Sequence, residues 1–158
     1  MSMQPLIGRI EQTLTDLEQV VQRVALLRDK AQQSGDDGYW DGVGLNLHSF
    51  YTGVERIFED IARTLEQTVP DGPNWHQDLL LQMSAEMEAI RPPVITPATR
   101  HCLDEFRGFR HVVRNVYAFH LRPSRLAELV QDLSGCFQAL TQDLQQFIQF
   151  LKEADLYL

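Results

Sequence analysis

The chain has 158 residues, 44% of them hydrophobic and 23% charged, and its formal net charge is -8 at pH 7. These values are ordinary for a soluble globular protein, and the length suits one domain, residues 1–158, around a single core. No apolar run approaches the roughly 20 residues that a membrane-spanning helix needs. The first residues lack the basic start and apolar stretch of a signal peptide. We therefore expect a cytoplasmic protein with no membrane partner.

The two cysteines, Cys102 and Cys136, do not have the spacing of a disulfide framework or of a zinc site. We interpret them as reduced thiols of a cytoplasmic protein. The chain also lacks a glycine-rich phosphate-binding loop. Because none of these patterns indicates a metal or an organic cofactor, we expect neither.

Helical periodicity is strong in the first half of the chain, and strand signals are weak throughout. Pro5 can occupy the first turn of a helix, whose apolar stripe recurs at steps of three and four: Ile10, Leu14, Leu17, Val21, Val24 and Leu27. The breaker-rich segment 32–44 predicts a turn. A second helix follows and ends before Pro70, with an inward face formed by Leu47, Phe50, Val54, Ile57 or Phe58, Ile61 and Leu65.

The second half of the chain predicts three more helices. A shorter one runs from Trp75 to about Ile90. It ends there because Arg91 precedes Pro92, and a residue before proline is pushed out of the helical region. Pro97 opens a helix that reaches about Leu121. The last helix has a seven-residue repeat that suits either the core or a dimer seam: Leu126, Val130, Leu133, Phe137, Leu140, Leu144, Phe147 and Leu151. We predict an all-α, up-and-down bundle of four long helices plus a short one.

Positive charge is concentrated in residues 100–125 of this acidic chain. The window holds six arginines, three histidines and only two acids, which gives it a formal charge of +4 and leaves -12 for the remaining residues. A cationic stripe on an anionic body favours a local site for an anion, such as a phosphate, over a general attraction to polyanions.

On a helix with 100° per residue, one side of this window has steps of three, four and three: Arg107, Arg110, Arg114 and Tyr117. Arginines on a partly buried stripe need anionic partners, either acids of neighbouring helices or an incoming phosphate. His111 and His120 flank them, and histidine can give and take a proton near neutral pH. Arginine and histidine together are the minimum set for metal-free RNA cleavage, in which the ribose 2′-OH attacks the adjacent phosphate.

This pattern resembles the HEPN superfamily and, within it, the HepT-like toxins, whose motif is R-x4-H-x-Y. The resemblance extends over most of the chain, including YTGVERIFEDIA (51–62), PDGPNWHQDLLLQM (70–83), LDEFRGFRHVVRNVY (103–117) and a closing helix after LRPSRL (121–126). It implies a HEPN-like helical domain that forms a homodimer and cleaves an RNA substrate.

Two registers of the motif are open. In the first, Arg110 is the motif arginine, Tyr117 is the motif tyrosine, and Asn115 occupies the histidine position. Asparagine cannot exchange a proton near neutral pH, so His111 or His120 would then supply the proton transfer. We favour this register as the alignment.

The second register pairs Arg114 with His120, with five residues between them. On one straight helix these two lie about 120° apart, and Arg110 and Asn115 of the first register about 140° apart. Either pair therefore converges only if the helix end distorts or if two chains meet at a dimer axis.

The resemblance also implies a partner, a minimal nucleotidyltransferase antitoxin that transfers adenylate groups from ATP to the motif tyrosine. In this chain the acceptor is Tyr117. Phosphates added there would occupy the arginine stripe and repel an RNA backbone. The expected phosphate-binding residues are Arg107, Arg110, Arg114 and Arg122.

Three functions remain open at this point. The first is a metal-independent ribonuclease toxin that is silenced by nucleotidylation. The second, motivated by Asn115, is a catalytically inactive HEPN module that binds nucleotide, RNA or a nucleotidyltransferase without cleavage. The third is a helical scaffold whose arginines pair with internal carboxylates.

Overall fold

The computed structural model describes residues 2–115 and 121–157, without the side chains of Arg114 and Asn115. Within those residues it contains five α-helices and no strand: α1 (Gln4–Ser34), α2 (Gly38–Ile61), α3 (Trp75–Met83), α4 (Pro97–Asn115) and α5 (Pro123–Asp155). A π-helical turn, Ala62–Glu66, continues α2. The predicted all-α fold of four long helices and one short helix is confirmed.

The four long helices surround one hydrophobic core. Helix α1 packs against α2 and α5, and α4 packs against the same two helices. The predicted stripes face this core: both Ile57 and Phe58 of α2 are buried, and in α5 every position of the seven-residue repeat is buried except Phe137, which is half-buried. The repeat of α5 therefore packs within this chain.

The break between α1 and α2 is much shorter than the predicted turn at 32–44. Gly35 closes α1 in the left-handed conformation with φ 71°, and its N–H donates to the carbonyl of Ala31. Helix α2 then begins at Gly38, because burial of Val43 in the core outweighs the poor helix propensity of the glycines around it. At position 44 glycine allows close packing, because a Cβ there would lie 2.8 Å from Leu121 Cδ1 and that side chain would have to shift.

Helix α3 ends at Met83, although the sequence predicted a helix to about Ile90. The cause is Arg91, which is buried and donates to the carbonyls of Gln82, Ala85 and Pro92. Because Arg91 satisfies these carbonyls, they do not need the N–H donors that a longer helix would supply. At the other end of the next loop Pro97 opens α4 as predicted. The expected end of that helix, near Leu121, falls partly on residues 116–120, outside the described residues.

The two cysteines form a disulfide, so the prediction of two reduced thiols is wrong. Cys102 of α4 and Cys136 of α5 have a Cα–Cα distance of 5.8 Å, which is within the range that a disulfide spans. Sequence spacing could not show this, because it depends on how α4 packs on α5. Bonded cysteines are typical of oxidising compartments, so the pair no longer supports a cytoplasmic location. None of the described helices has the length and hydropathy needed to cross a bilayer.

Candidate functional site

A cleft of about 600 Å³ opens between α4 and the start of α3. The loop 72–74 and the first turn of α3 line one side. The other side is lined by three residues of α4, Arg107, Arg110 and His111. The structure thus brings two of the predicted phosphate-binding arginines and one predicted catalytic histidine to one open cavity.

The local sequence explains how α3 reaches this cleft. Gly72 adopts φ 89°, in the left-handed region that favours glycine, and its carbonyl accepts the N–H of Trp75 over 3.3 Å. The resulting turn starts α3 at Trp75, whose side chain is half-buried beside the cleft. The rings of Trp75 and His76 have centroids 3.6 Å apart and are tilted by 31°. This contact restricts the orientation of the imidazole.

Arg110 contacts two residues from other helices. Its Nη1 lies 3.3 Å from Nε2 of His76, and its Nε lies 3.7 Å from Oε1 of Glu55. The second distance is an electrostatic contact without a hydrogen bond, and the buried Nε has no hydrogen-bond partner among the described residues. The Arg110 side chain is 15% exposed and lines the cleft, so the exposed part of its guanidinium could bind an oxyanion there.

Glu55 is a carboxylate on the buried face of α2, with a side chain only 4% exposed. Its Oε2 lies 2.5 Å from Nδ1 of His76. Burial raises the pKa of Glu55 above its ordinary value, although the hydrogen bond with His76 and the positive charge of Arg110 act in the opposite direction. These partners offset the free-energy cost of burying a charged carboxylate.

The contacts of His76 determine where its proton lies. A guanidinium can only donate, so Nε2 beside Arg110 is the unprotonated nitrogen. The proton is therefore on Nδ1, which donates to Glu55. A carboxylate that fixes the tautomer of an imidazole leaves the opposite nitrogen as a proton acceptor.

Tyr51, on the same helix as Glu55, is fully buried, and within the part of the chain that the structure describes its hydroxyl has no hydrogen-bond partner. Burial, followed by the charge of Glu55, raises the pKa of the phenol above its ordinary value. Tyr51 therefore remains neutral. Its buried ring gives the cluster of Glu55, His76 and Arg110 a neighbour of low polarity.

Arg107 is less firmly held than Arg110. Its Nε donates to Oδ1 of Asp104 over 2.6 Å, but that carboxylate is half exposed and lies one turn away on the same helix. Such a surface pair contributes little free energy, so Arg107 can exchange Asp104 for a phosphate. Arg107 also lines a second depression, of about 390 Å³, together with Arg122.

The predicted site is therefore only partly assembled in the described residues. Arg107, Arg110 and His111 share the cleft, whereas Arg122 lies exposed at the second depression. The remaining predicted residues lie outside the described residues, either wholly or by their side chains: Arg114, Asn115, Tyr117 and His120.

Structural ion pairing accounts for some arginines and not for others. Arg91 is completely buried against Glu66, and Arg125 pairs at the surface with Glu105 and Glu128. Arg110 is held partly by Glu55, but it still lines an open cleft. A purely structural role is thus shown for Arg91 alone among these residues.

Sequence analysis missed Glu55 and His76. A signal for Glu55 was present, since it is placed between Val54 and Phe58 and four residues after Tyr51, all of which are buried. A carboxylate at such a helical position requires a partner. His76 gave no comparable signal, because only the packing of α3 against α2 brings it to Glu55.

The fold and cleft define an all-α protein with a cationic site on its fourth helix. The family model of the HepT-like protein matches residues 42–151, more than half of the chain, and the chain therefore belongs to the HepT-like family. Members of this family are typically parts of toxin–antitoxin pairs. No curated protein and no solved structure matches the chain significantly. The matched range runs from α2 to α5 and includes Glu55, His76 and Arg110.

Proposed function

We propose that the protein is a metal-independent endoribonuclease, the toxin of a toxin–antitoxin pair, that acts on RNA. The observation that supports this most directly is the open cleft where Arg107 and Arg110 meet on one face of α4. Trp75 lines the same cleft, and basic side chains beside an aromatic ring are typical of sites for single-stranded nucleic acid.

The proposed reaction is an internal transfer at one phosphodiester. The ribose 2′-oxygen loses its proton and forms a bond to phosphorus, and the bond from phosphorus to O5′ breaks. O5′ then takes up a proton, so the products are a 2′,3′-cyclic phosphate and a 5′-hydroxyl. Arg107 and Arg110 stabilise the charge that develops on the phosphate oxygens.

Silencing by a partner nucleotidyltransferase fits the same helix. Tyr117, the proposed acceptor of adenylate groups, follows Asn115, the last described residue of α4, by two positions. Phosphates attached there would be close in sequence to the arginines that are proposed to bind RNA, and would compete with it. We further propose that the domain functions as a homodimer, in which two copies of α4 approach each other.

Replacement of Arg110 tests the activity. Loss of one donor to a developing oxyanion typically costs about 100-fold to 1,000-fold in rate, so Arg110→Ala should lose cleavage of single-stranded RNA by that amount and relieve growth arrest. Arg110→Lys keeps the charge beside Glu55 but loses the planar fork, and it should also be impaired. Arg9→Ala, which removes an exposed arginine of α1 that pairs with Asp60, is the control and should cleave as the parent does.

A non-catalytic module is the second candidate, and two observations favour it. Asn115 occupies the histidine position of the preferred register, and Arg110 is already partly neutralised by Glu55. Asn115→His distinguishes the two functions. Cleavage gained from an inert parent would support the binding module, and an active parent would exclude it.

A further inference from the structure

We propose that His76 of α3 is the proton-transferring residue of this site and that Glu55 of α2 is its positioning residue. This inference rests on the proposed ribonuclease function and adds to it an acid–base group on a second helix. Both residues lie outside the arginine-containing segment of α4, so they form a relay that is independent of what occupies position 115 in the motif.

The first argument is the distance between His76, the proposed base, and Arg110, the residue proposed to bind the phosphate. In the transfer step the attacking 2′-oxygen and the phosphate belong to the same nucleotide, so the base must lie next to the arginine that holds the phosphate. Nε2 of His76 lies 3.3 Å from Nη1 of Arg110. Both residues line the same cleft, which gives a bound nucleotide access to the nitrogen.

The second argument is the tautomer. Glu55 accepts the Nδ1 proton of His76 over 2.5 Å, which directs the unprotonated Nε2 towards Arg110 and the cleft. When Nε2 takes a proton, the carboxylate stabilises the resulting imidazolium. A buried carboxylate is costly to maintain in a fold, and this one touches His76 and Arg110, which come from two different helices.

The third argument is rigidity. His76 is half-buried, and its ring lies against that of Trp75 with centroids 3.6 Å apart. His111 lines the same cleft, but it is exposed to solvent. The carboxylate on one side and the indole on another hold the imidazole of His76 in one orientation, as proton transfer requires.

Arg110 also links substrate binding to the availability of the base. Its Nη1 occupies the acceptor position at Nε2 of His76. A phosphate that takes over the guanidinium releases Nε2, which then accepts the proton of the 2′-OH as the bond from O2′ to phosphorus forms. The bond from phosphorus to O5′ breaks, and O5′ receives a proton from water.

Single-turnover cleavage of single-stranded RNA by the full chain, measured from pH 5 to pH 9, tests the proposal. Loss of a general base typically lowers the rate about 100-fold to 10,000-fold, so His76→Asn should lose at least about 100-fold while RNA affinity changes less than about threefold. His101→Asn, at an exposed position on α4, is the matched control and should retain the parent rate.

Glu55→Gln provides a second variant that does not depend on the stability of the first. Glutamine can still accept the Nδ1 proton, so the orientation of His76 is kept while the charge is lost. We expect a lower rate and an acidic limb of the pH–rate profile that moves to lower pH, because an amide stabilises the imidazolium less well than a carboxylate. A merely structural role of Glu55 would leave the position of that limb unchanged.

The outcomes separate the two levels of the proposal. An active parent with an unimpaired His76→Asn variant, or a loss confined to His111→Asn or His120→Asn, would overturn the role of His76 and leave the ribonuclease function standing. A parent that cleaves no RNA, with Arg110→Ala indistinguishable from it, would overturn the function and the proton relay together.

Discussion

Replacement of Arg91 by methionine should be one of the most destabilising single changes in this protein. The side chains of Arg91 and Glu66 are both 0% exposed, and they form an ion pair. Arg91 also donates to the carbonyls of Ala85, Pro92 and Gln82 over 2.7, 3.0 and 2.9 Å. Methionine fills much of the volume but leaves the carboxylate buried without its cation.

The expected loss follows from the burial of the pair. Removing one partner of a buried ion pair costs about 3–5 kcal/mol, and a change of 1 kcal/mol shifts the melting temperature of a domain of this size by about 2–4 °C. Arg91→Met should therefore melt at least about 6 °C below the parent. Urea unfolding followed by circular dichroism should give the same loss of free energy, with an unchanged m-value.

Arg125→Ala is the matched control. Arg125 pairs with two carboxylates, but its side chain is 44% exposed and both acids are more than half exposed. Exposed pairs contribute about 0–1 kcal/mol, so this variant should melt within about 4 °C of the parent. The double variant Arg91→Met/Glu66→Met should recover much of the loss, because it removes the unpaired charge. Equal small effects of Arg91→Met and Arg125→Ala would refute the reasoning.

Three further predictions concern the helix contacts and the buried carboxylate. Cys136→Ser removes the disulfide between α4 and α5, which closes a loop across a separation of 34 residues. The chain-entropy model gives a loss of about 4 kcal/mol in the free energy of unfolding, measured in urea without reductant. An unchanged midpoint of the urea transition would contradict this. Because burial raises the pKa of Glu55 above 4.5, the folded parent loses stability as the pH rises from about 4.5 through that raised pKa. Glu55→Gln should therefore become more stable relative to the parent over this pH interval. A difference in the free energy of unfolding that does not change with pH would contradict the shift. A Cβ at Gly53 would lie 2.6 Å from the buried side chain of Leu17, so Gly53→Ala should lower the free energy of unfolding by about 1–3 kcal/mol. Gly135→Ala, with nothing within 4 Å of its Cβ, should raise it by up to about 1 kcal/mol. Equal melting temperatures of the two variants would contradict the packing.

The amphipathic helices were predictable from sequence because burial of an apolar stripe is the main source of their stability. The spacing of the stripe from Leu126 to Leu151 predicted helix α5, and the structure added that the stripe packs in the core of this chain. The start of α4 at Pro97 was likewise predictable from the local sequence. The element boundaries that failed were those set by contacts between helices, at the start of α2 and at the end of α3.

The candidate site was predictable on one helix and not across helices. The spacing of Arg107 and Arg110 already indicated a shared face of α4. The group of Glu55 and His76 depends on α2 and α3 meeting below that face, which no local pattern reveals. The Cys102–Cys136 bond was missed for the same reason, since it records the packing of α4 on α5.

The most direct test of the central claim is the chemistry of the RNA ends after incubation with the purified protein. The account predicts fragments with 2′,3′-cyclic phosphate and 5′-hydroxyl ends, produced without added metal, at least about 100-fold more slowly by Arg110→Ala and at the parent rate by Arg9→Ala. Intact RNA with the parent protein, or equal cleavage by the parent and Arg110→Ala, would contradict it.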